Sequence, residues 1–134
     1  DNCDYFLYKF NFSKKEEKRI KIIDNFYKEK IQSKTFSESN LNRIFYYSGK
    51  QAIIDILNYQ IIKSKKIDSK LIRLLSFYKK KTMPKMPIGA DVLMKKFHIS
   101  EGRKLGEKLK IIEDEWVKNN FQISEEQIHS IMNS

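Results

Sequence analysis

Two glycines four residues apart, Gly102 and Gly106, sit among Arg103, Lys104 and Lys108 at the start of a segment that is otherwise strongly helical. A glycine inside a helix costs about 1 kcal/mol relative to alanine, so its presence points to a backbone that something approaches closely. Ser100 stands where an N-cap belongs, which puts Gly102 in the first turn. There the unpaired N–H groups and the positive end of the helix dipole can hold a phosphate, with Arg103, Lys104 and Lys108 supplying charge. The competing reason for two glycines is close packing of a preceding short helix, about Ala90 to Phe97, against this one.

A second cationic stretch runs from Lys63 to Lys85, with nine Lys and Arg residues and Asp68 as its only acid. Arg73, Lys79, Lys80, Lys81 and Lys85 are its candidate contacts. Neutralising phosphates releases counterions, so such a patch binds RNA or DNA in a salt-dependent way without reading sequence. Tyr78, beside the lysine run, could stack on a base, but its spacing from Leu71, Leu74 and Leu75 places it on a core face.

Catalytic machinery is not in evidence. His98 and His129 have no cysteine or carboxylate at metal-ligand spacing. Glu113, Asp114 and Glu115 are consecutive on a helix and point to different faces, so they cannot act as an acid/base pair by themselves. No phosphate-cradling loop or nucleophile elbow is present. The expectation is a binding domain with no catalytic residue and no metal site.

The elements that must position these groups are helices. The chain has 134 residues, enough for one domain with a real core, and its 4 Gly and 2 Pro leave little turn chemistry for a sheet. The formal net charge of +10 suggests a polyanionic partner. A lysine-rich, arginine-poor composition of the kind an AT-rich genome produces also accounts for it. Under that reading Arg19, Arg43, Arg73 and Arg103 are better candidates than any lysine. Cys3 is the only cysteine, which fits a reducing, cytoplasmic setting, and no apolar run is long enough to span a membrane.

Residues 1–12 read as an aromatic lead-in. Ser13 to Glu16 has capping-box spacing, and Ile20, Ile23, Tyr27 and Ile31 mark a buried face through about Gln32. A further helix starts near Ser37 or Ser39 and ends at Gly49, and a charge-poor one follows over 51–62. Asp68 or Ser69 caps the next, which ends in Lys79–Lys81, where cations suit the helix dipole. Residues 82–87, with both prolines, form a connection. After it come the Ala90 helix, the Gly102 helix and a last helix opened by Ser124 and Gln127. The predicted fold is an all-α irregular bundle of about seven short helices. It divides into a helical body over 13–81, a linker over 82–87 and a helical tail subdomain over 88–134 packed on the body.

Pro87, Gly89, Asp91 and Leu93, then Gly102, Gly106 and Leu109, then Glu113, Trp116, Phe121 and Ser124 follow one another in an order that resembles the C-terminal region of bacterial tRNA nucleotidyltransferases, the CCA-adding and poly(A) polymerase family. Upstream, Phe45 to Lys50 with Asp55 is similar to the family's Leu-Tyr-Arg-x-Gly segment and its following helix. Phe12 to Arg19 is similar to its Leu-Ser-Asn-x-x-x-x-Arg helix opening. Tyr47 stands where the family usually has arginine, and Glu101 and Arg103 where it has prolines. The family's nucleotidyltransferase head, with its metal-binding aspartates, has no counterpart here.

The resemblance implies an RNA-binding body and tail that grips the acceptor and TΨC stem of tRNA for 3′-end CCA addition. Catalysis, Mg and CTP or ATP would then belong to the absent head or to a separate catalytic subunit. Two other classes fit the composition: a DNA-binding helical module, and a protein-interaction bundle whose positive charge is compositional.

Overall fold

Four short polar side chains fix where helices begin. In the computed structural model, which describes residues 2–28 and 36–134, Ser13 Oγ accepts the Glu16 N–H at 3.2 Å while the Ser13 N–H donates to Glu16 Oε1 at 3.0 Å. That capping box opens α2 (Lys14–Lys28). Ser37 caps α3 (Glu38–Ser48), Asp68 caps α5 (Ser69–Lys80), and Ser124 with Gln127 closes a second capping box on α8 (Glu125–Met132). Gly49 ends α3 and begins α4 (Lys50–Lys63) within a single residue, at φ 98°, and its N–H donates to the Phe45 carbonyl. Only glycine enters that conformation without strain.

The described residues form eight helices and no strand, so the fold is all-α. The helix beyond the expected seven is α1 (Asn2–Lys9), within the aromatic lead-in. It buries Leu7 and leaves Tyr5 and Tyr8 largely exposed, and Phe10 just after it is largely exposed too. The expected extension of the α2 face to Ile31 and Gln32 lies outside the described residues. Within α2, Phe26 is the buried residue, and Ile23 and Tyr27 pack at its edge.

Two apolar clusters hold the helices. The first joins α2 to α5 around Leu41, Phe45, Ile53, Ile56 and Leu57, all at 0 % exposure. Each such side chain contributes roughly 1.5–3 kcal/mol by leaving water. The second gathers α6 (Ala90–Phe97), α7 (Arg103–Lys118) and α8 around Leu93, Leu105, Ile112 and Ile128. Met86 and Ile88 pack on this second cluster, so the proline-containing connection is anchored at its far end.

Polar and aromatic contacts join the clusters. Tyr46 Oη donates to Glu113 Oε2 at 2.9 Å, and its ring meets Trp116 edge-on at 5.3 Å. Buried Asn42 accepts from Tyr78 Oη at 2.9 Å and donates to Asn120 Oδ1 at 3.0 Å, tying α3, α5 and the α7–α8 turn together. That turn carries Asn120 at φ 60° and Phe121 at φ 61°. A bulky residue rarely adopts this conformation. Phe121 is held there by its N–H bond to the Trp116 carbonyl and by ring contacts with Phe45, Tyr46 and Trp116.

Candidate nucleic-acid interface

The N-terminus of α7 differs from its expected form by two residues. Ser100 does not cap it; Gly102 does, at φ 151° and ψ −170°, a backbone region essentially restricted to glycine. With glycine as the cap there is no side-chain oxygen to occupy the first N–H groups, and the first turn contains no acid. Those N–H groups remain for an anion. Arg103 beside them is 93 % exposed and donates to Glu107 Oε1 at 2.9 Å, an exchangeable surface pair. Lys104 is exposed and pairs with no described carboxylate.

Neither glycine is explained by packing. A Cβ added at Gly102 or Gly106 meets nothing within 4 Å, so close approach of α6 is not the reason for them. At Gly102 the reason is φ. At Gly106, helical and open, nothing among the described residues requires glycine.

Lys108 is not a free phosphate contact. Its ammonium donates to the Ile131 carbonyl at 2.8 Å, the Ser134 carbonyl at 2.6 Å and Ser134 Oγ at 3.1 Å, fastening the end of α8 to α7. The sequence places it one turn along the same helix face as Lys104, and only the fold of α8 back onto α7 reveals its other use.

The stretch from Lys63 to Lys85 carries nine of the chain's 27 basic residues and one of its 17 acids, leaving eighteen and sixteen elsewhere. Nearly all the excess charge is therefore local, whereas a compositional bias would spread it along the surface. None of the nine forms an ion pair with a described carboxylate. Lys63, Lys65, Lys66, Lys70, Arg73, Lys79, Lys80 and Lys85 are exposed. Arg73 touches only the Ser69 carbonyl, at 3.4 Å. Lys50 steadies the cationic end of α5 by donating to the Lys79 carbonyl at 3.0 Å. Two of the nine lie over rings: the Lys63 ammonium is 5.2 Å from the Tyr27 ring, and that of Lys81 is 5.1 Å from the Phe77 ring and 5.2 Å from the Phe121 ring.

Several of the residues on which the expected family resemblance rests meet one another. Arg19 and Asp55 form a bidentate pair at 2.8 and 2.9 Å between α2 and α4, and this pairing holds the Asp55 carboxyl below its ordinary range. Tyr46, Glu113 and Trp116 join α3 to α7 as described. Tyr47, in the place of the usual arginine, donates to Asp114 and Glu113, and Lys110 lies 4.1 Å from its ring centroid. Burial first, and then the bond to Asp114, push the Tyr47 hydroxyl up to about 12. These motif residues are braces between helices. His129 packs edge-on against Phe97, and His98 ends α6 in the left-handed conformation.

Among the described residues there is no group of three or more His, Cys, Asp or Glu side chains placed to hold a metal ion, and no helix long and apolar enough to cross a membrane. No match was found among protein-family models, curated proteins or solved structures.

Proposed function

We propose that the chain is a helical RNA-binding domain that grips the acceptor and TΨC stem of tRNA, presenting the 3′ end to a nucleotidyltransferase head located elsewhere. The observation that carries it is the largely exposed cationic run on α5 and its flanks, from Lys63 to Lys85, which forms no ion pair with a described carboxylate and holds nearly all of the excess charge. A patch of that kind neutralises phosphates and reads A-form shape more than sequence. The uncapped start of α7, with Gly102, Arg103 and Lys104, is the second contact. The order of the segments that resemble those of tRNA nucleotidyltransferases favours tRNA over other polyanions.

Binding of tRNA measured against salt tests the proposal, with duplex DNA of equal charge as competitor. The logarithm of affinity should fall with the logarithm of salt by roughly 0.7–0.9 per phosphate neutralised. Arg103→Ala with Lys104→Ala should weaken tRNA binding and leave helicity unchanged. Equal affinity for DNA would make the domain a general nucleic-acid binder, and an absence of salt-dependent binding would leave a protein-interaction bundle.

A further inference from the structure

Helical geometry assigns Tyr78 and Phe77 opposite roles. Tyr78 is 1 % exposed, and its hydroxyl is bonded to Asn42. Phe77, its neighbour, is 52 % exposed on the outer side of α5. At about 100° per residue, Lys70, Arg73 and Lys80 fall within roughly 60° of Phe77 around the helix. All three are exposed, and Lys81 lies over the Phe77 ring. Phe77 is thus an aromatic ring set inside a stripe of cations.

We infer that Phe77 is a stacking platform for an unpaired nucleobase, with Lys70, Arg73 and Lys80 holding the phosphates on either side of it. This rests on the RNA-binding reading and specifies its ligand as RNA with at least one single-stranded nucleotide at this face. An aromatic flanked by cations at one-turn spacing matches the alternation of base and phosphate along a single strand. The other exposed apolar residue of α5, Ile72, lies about 140° away around the helix, off the stripe. Insertion into an anionic membrane needs a continuous apolar face, which this stripe of cations around one ring does not provide.

The test uses the full chain and two RNA hairpins with equal numbers of phosphates, one blunt and one with an unpaired 3′ tail carrying 2-aminopurine. The wild-type chain should quench the 2-aminopurine and prefer the tailed hairpin. Phe77→Ala should abolish the quenching and weaken tailed-hairpin binding about tenfold, the low end of what one stacked base contributes, with blunt-hairpin affinity within twofold of wild type. Phe77→Tyr should retain both properties, and the salt slope should be unchanged in either variant because no phosphate contact is removed. Circular dichroism confirms that the variants are folded.

Tailed-hairpin binding insensitive to Phe77→Ala, or equal weakening of both hairpins, overturns the stacking role while leaving RNA binding intact. Binding to vesicles of anionic phospholipid that depends on Phe77 and exceeds binding to the tailed RNA also overturns it, in favour of a membrane surface. If the wild-type chain binds neither hairpin, the RNA-binding reading itself fails.

Discussion

Replacing Asn42 with alanine tests whether the bond among α3, α5 and the α7–α8 turn is a true buried network. Asn42 is 1 % exposed, accepts from Tyr78 Oη and donates to Asn120 Oδ1. Its removal leaves the Tyr78 hydroxyl, itself buried, without its described partner, at a cost of about 1–3 kcal/mol. Asn120 is exposed and can turn to water, so its loss adds little. With the small void left by the amide, the sum is about 2–4 kcal/mol. Tyr78→Phe keeps the ring and orphans one oxygen of Asn42, for about 1–2 kcal/mol. The diagnostic quantity is the double variant. Once Asn42 is alanine, the Tyr78 hydroxyl has become a liability, so Tyr78→Phe should then stabilise the fold. Urea unfolding followed by circular dichroism gives the four stabilities, and the coupling should be about 2 kcal/mol. If Tyr78→Phe destabilises both backgrounds equally, the reasoning is wrong and the hydroxyl finds water by another route.

Gly106→Ala should raise stability by about 0.5–1 kcal/mol, since the position is helical and open, while Gly102→Ala should lower it by about 1–3 kcal/mol through strain at φ 151°. A stabilised Gly106→Ala chain that binds tRNA less well, measured by filter binding, would mark that backbone as a site of ligand approach. Lys108→Met should destabilise α8 by about 1 kcal/mol, read as a lower melting temperature, and change tRNA affinity by less than twofold. Replacing Lys79, Lys80 and Lys85 with glutamine should reduce the salt slope by roughly 0.7–0.9 for each that touches a phosphate. Tyr27, Tyr47 and Tyr78 are pushed up to about 12 chiefly by burial, so between about pH 10 and 12 the folded chain holds protons that the unfolded chain has released. Stability should therefore fall as pH rises through that window, and Tyr78→Phe should shallow the fall in an alkaline urea titration.

The helix boundaries were largely legible because their signals are local. Ser13, Ser124 and Gly49 act within one turn of themselves, and each does in the structure what its spacing predicts. Where a prediction depended on which residue occupies the cap, it was less secure: Ser100 has the right side chain, but the helix starts after Gly102. The charge stretch was legible too, as composition. What the sequence obscured was the partner each long side chain chooses. Lys108 is anchored by a helix some twenty residues downstream, and Lys81 by a ring in the α7–α8 turn. Phe77 was missed for a different reason, since attention to the apolar spacing of Leu71, Leu74 and Leu75 selects Tyr78 and passes over the opposite face. Laying Lys70, Arg73 and Lys80 on the same wheel would have found it.

The braces change what the family resemblance can mean. Arg19, Asp55, Tyr46, Glu113 and Trp116, among the residues on which the expected likeness to tRNA nucleotidyltransferases rests, face one another across helices. A pattern built from such residues constrains how α2, α3, α4 and α7 pack, and it would persist in any chain that kept this packing, whether or not it kept a ligand. Residues of that kind therefore bear on packing alone, and the proposal of RNA binding must rest on groups with no partner inside the fold. Lys104, the first N–H groups of α7, and Lys70 and Lys80 beside Phe77 meet that condition; Arg19, Lys108 and Lys110 do not. Variants of the second set should move stability, and variants of the first should move binding. A domain in which those two responses separate this way is one whose binding surface is carried by the outer face of α5 and the open end of α7.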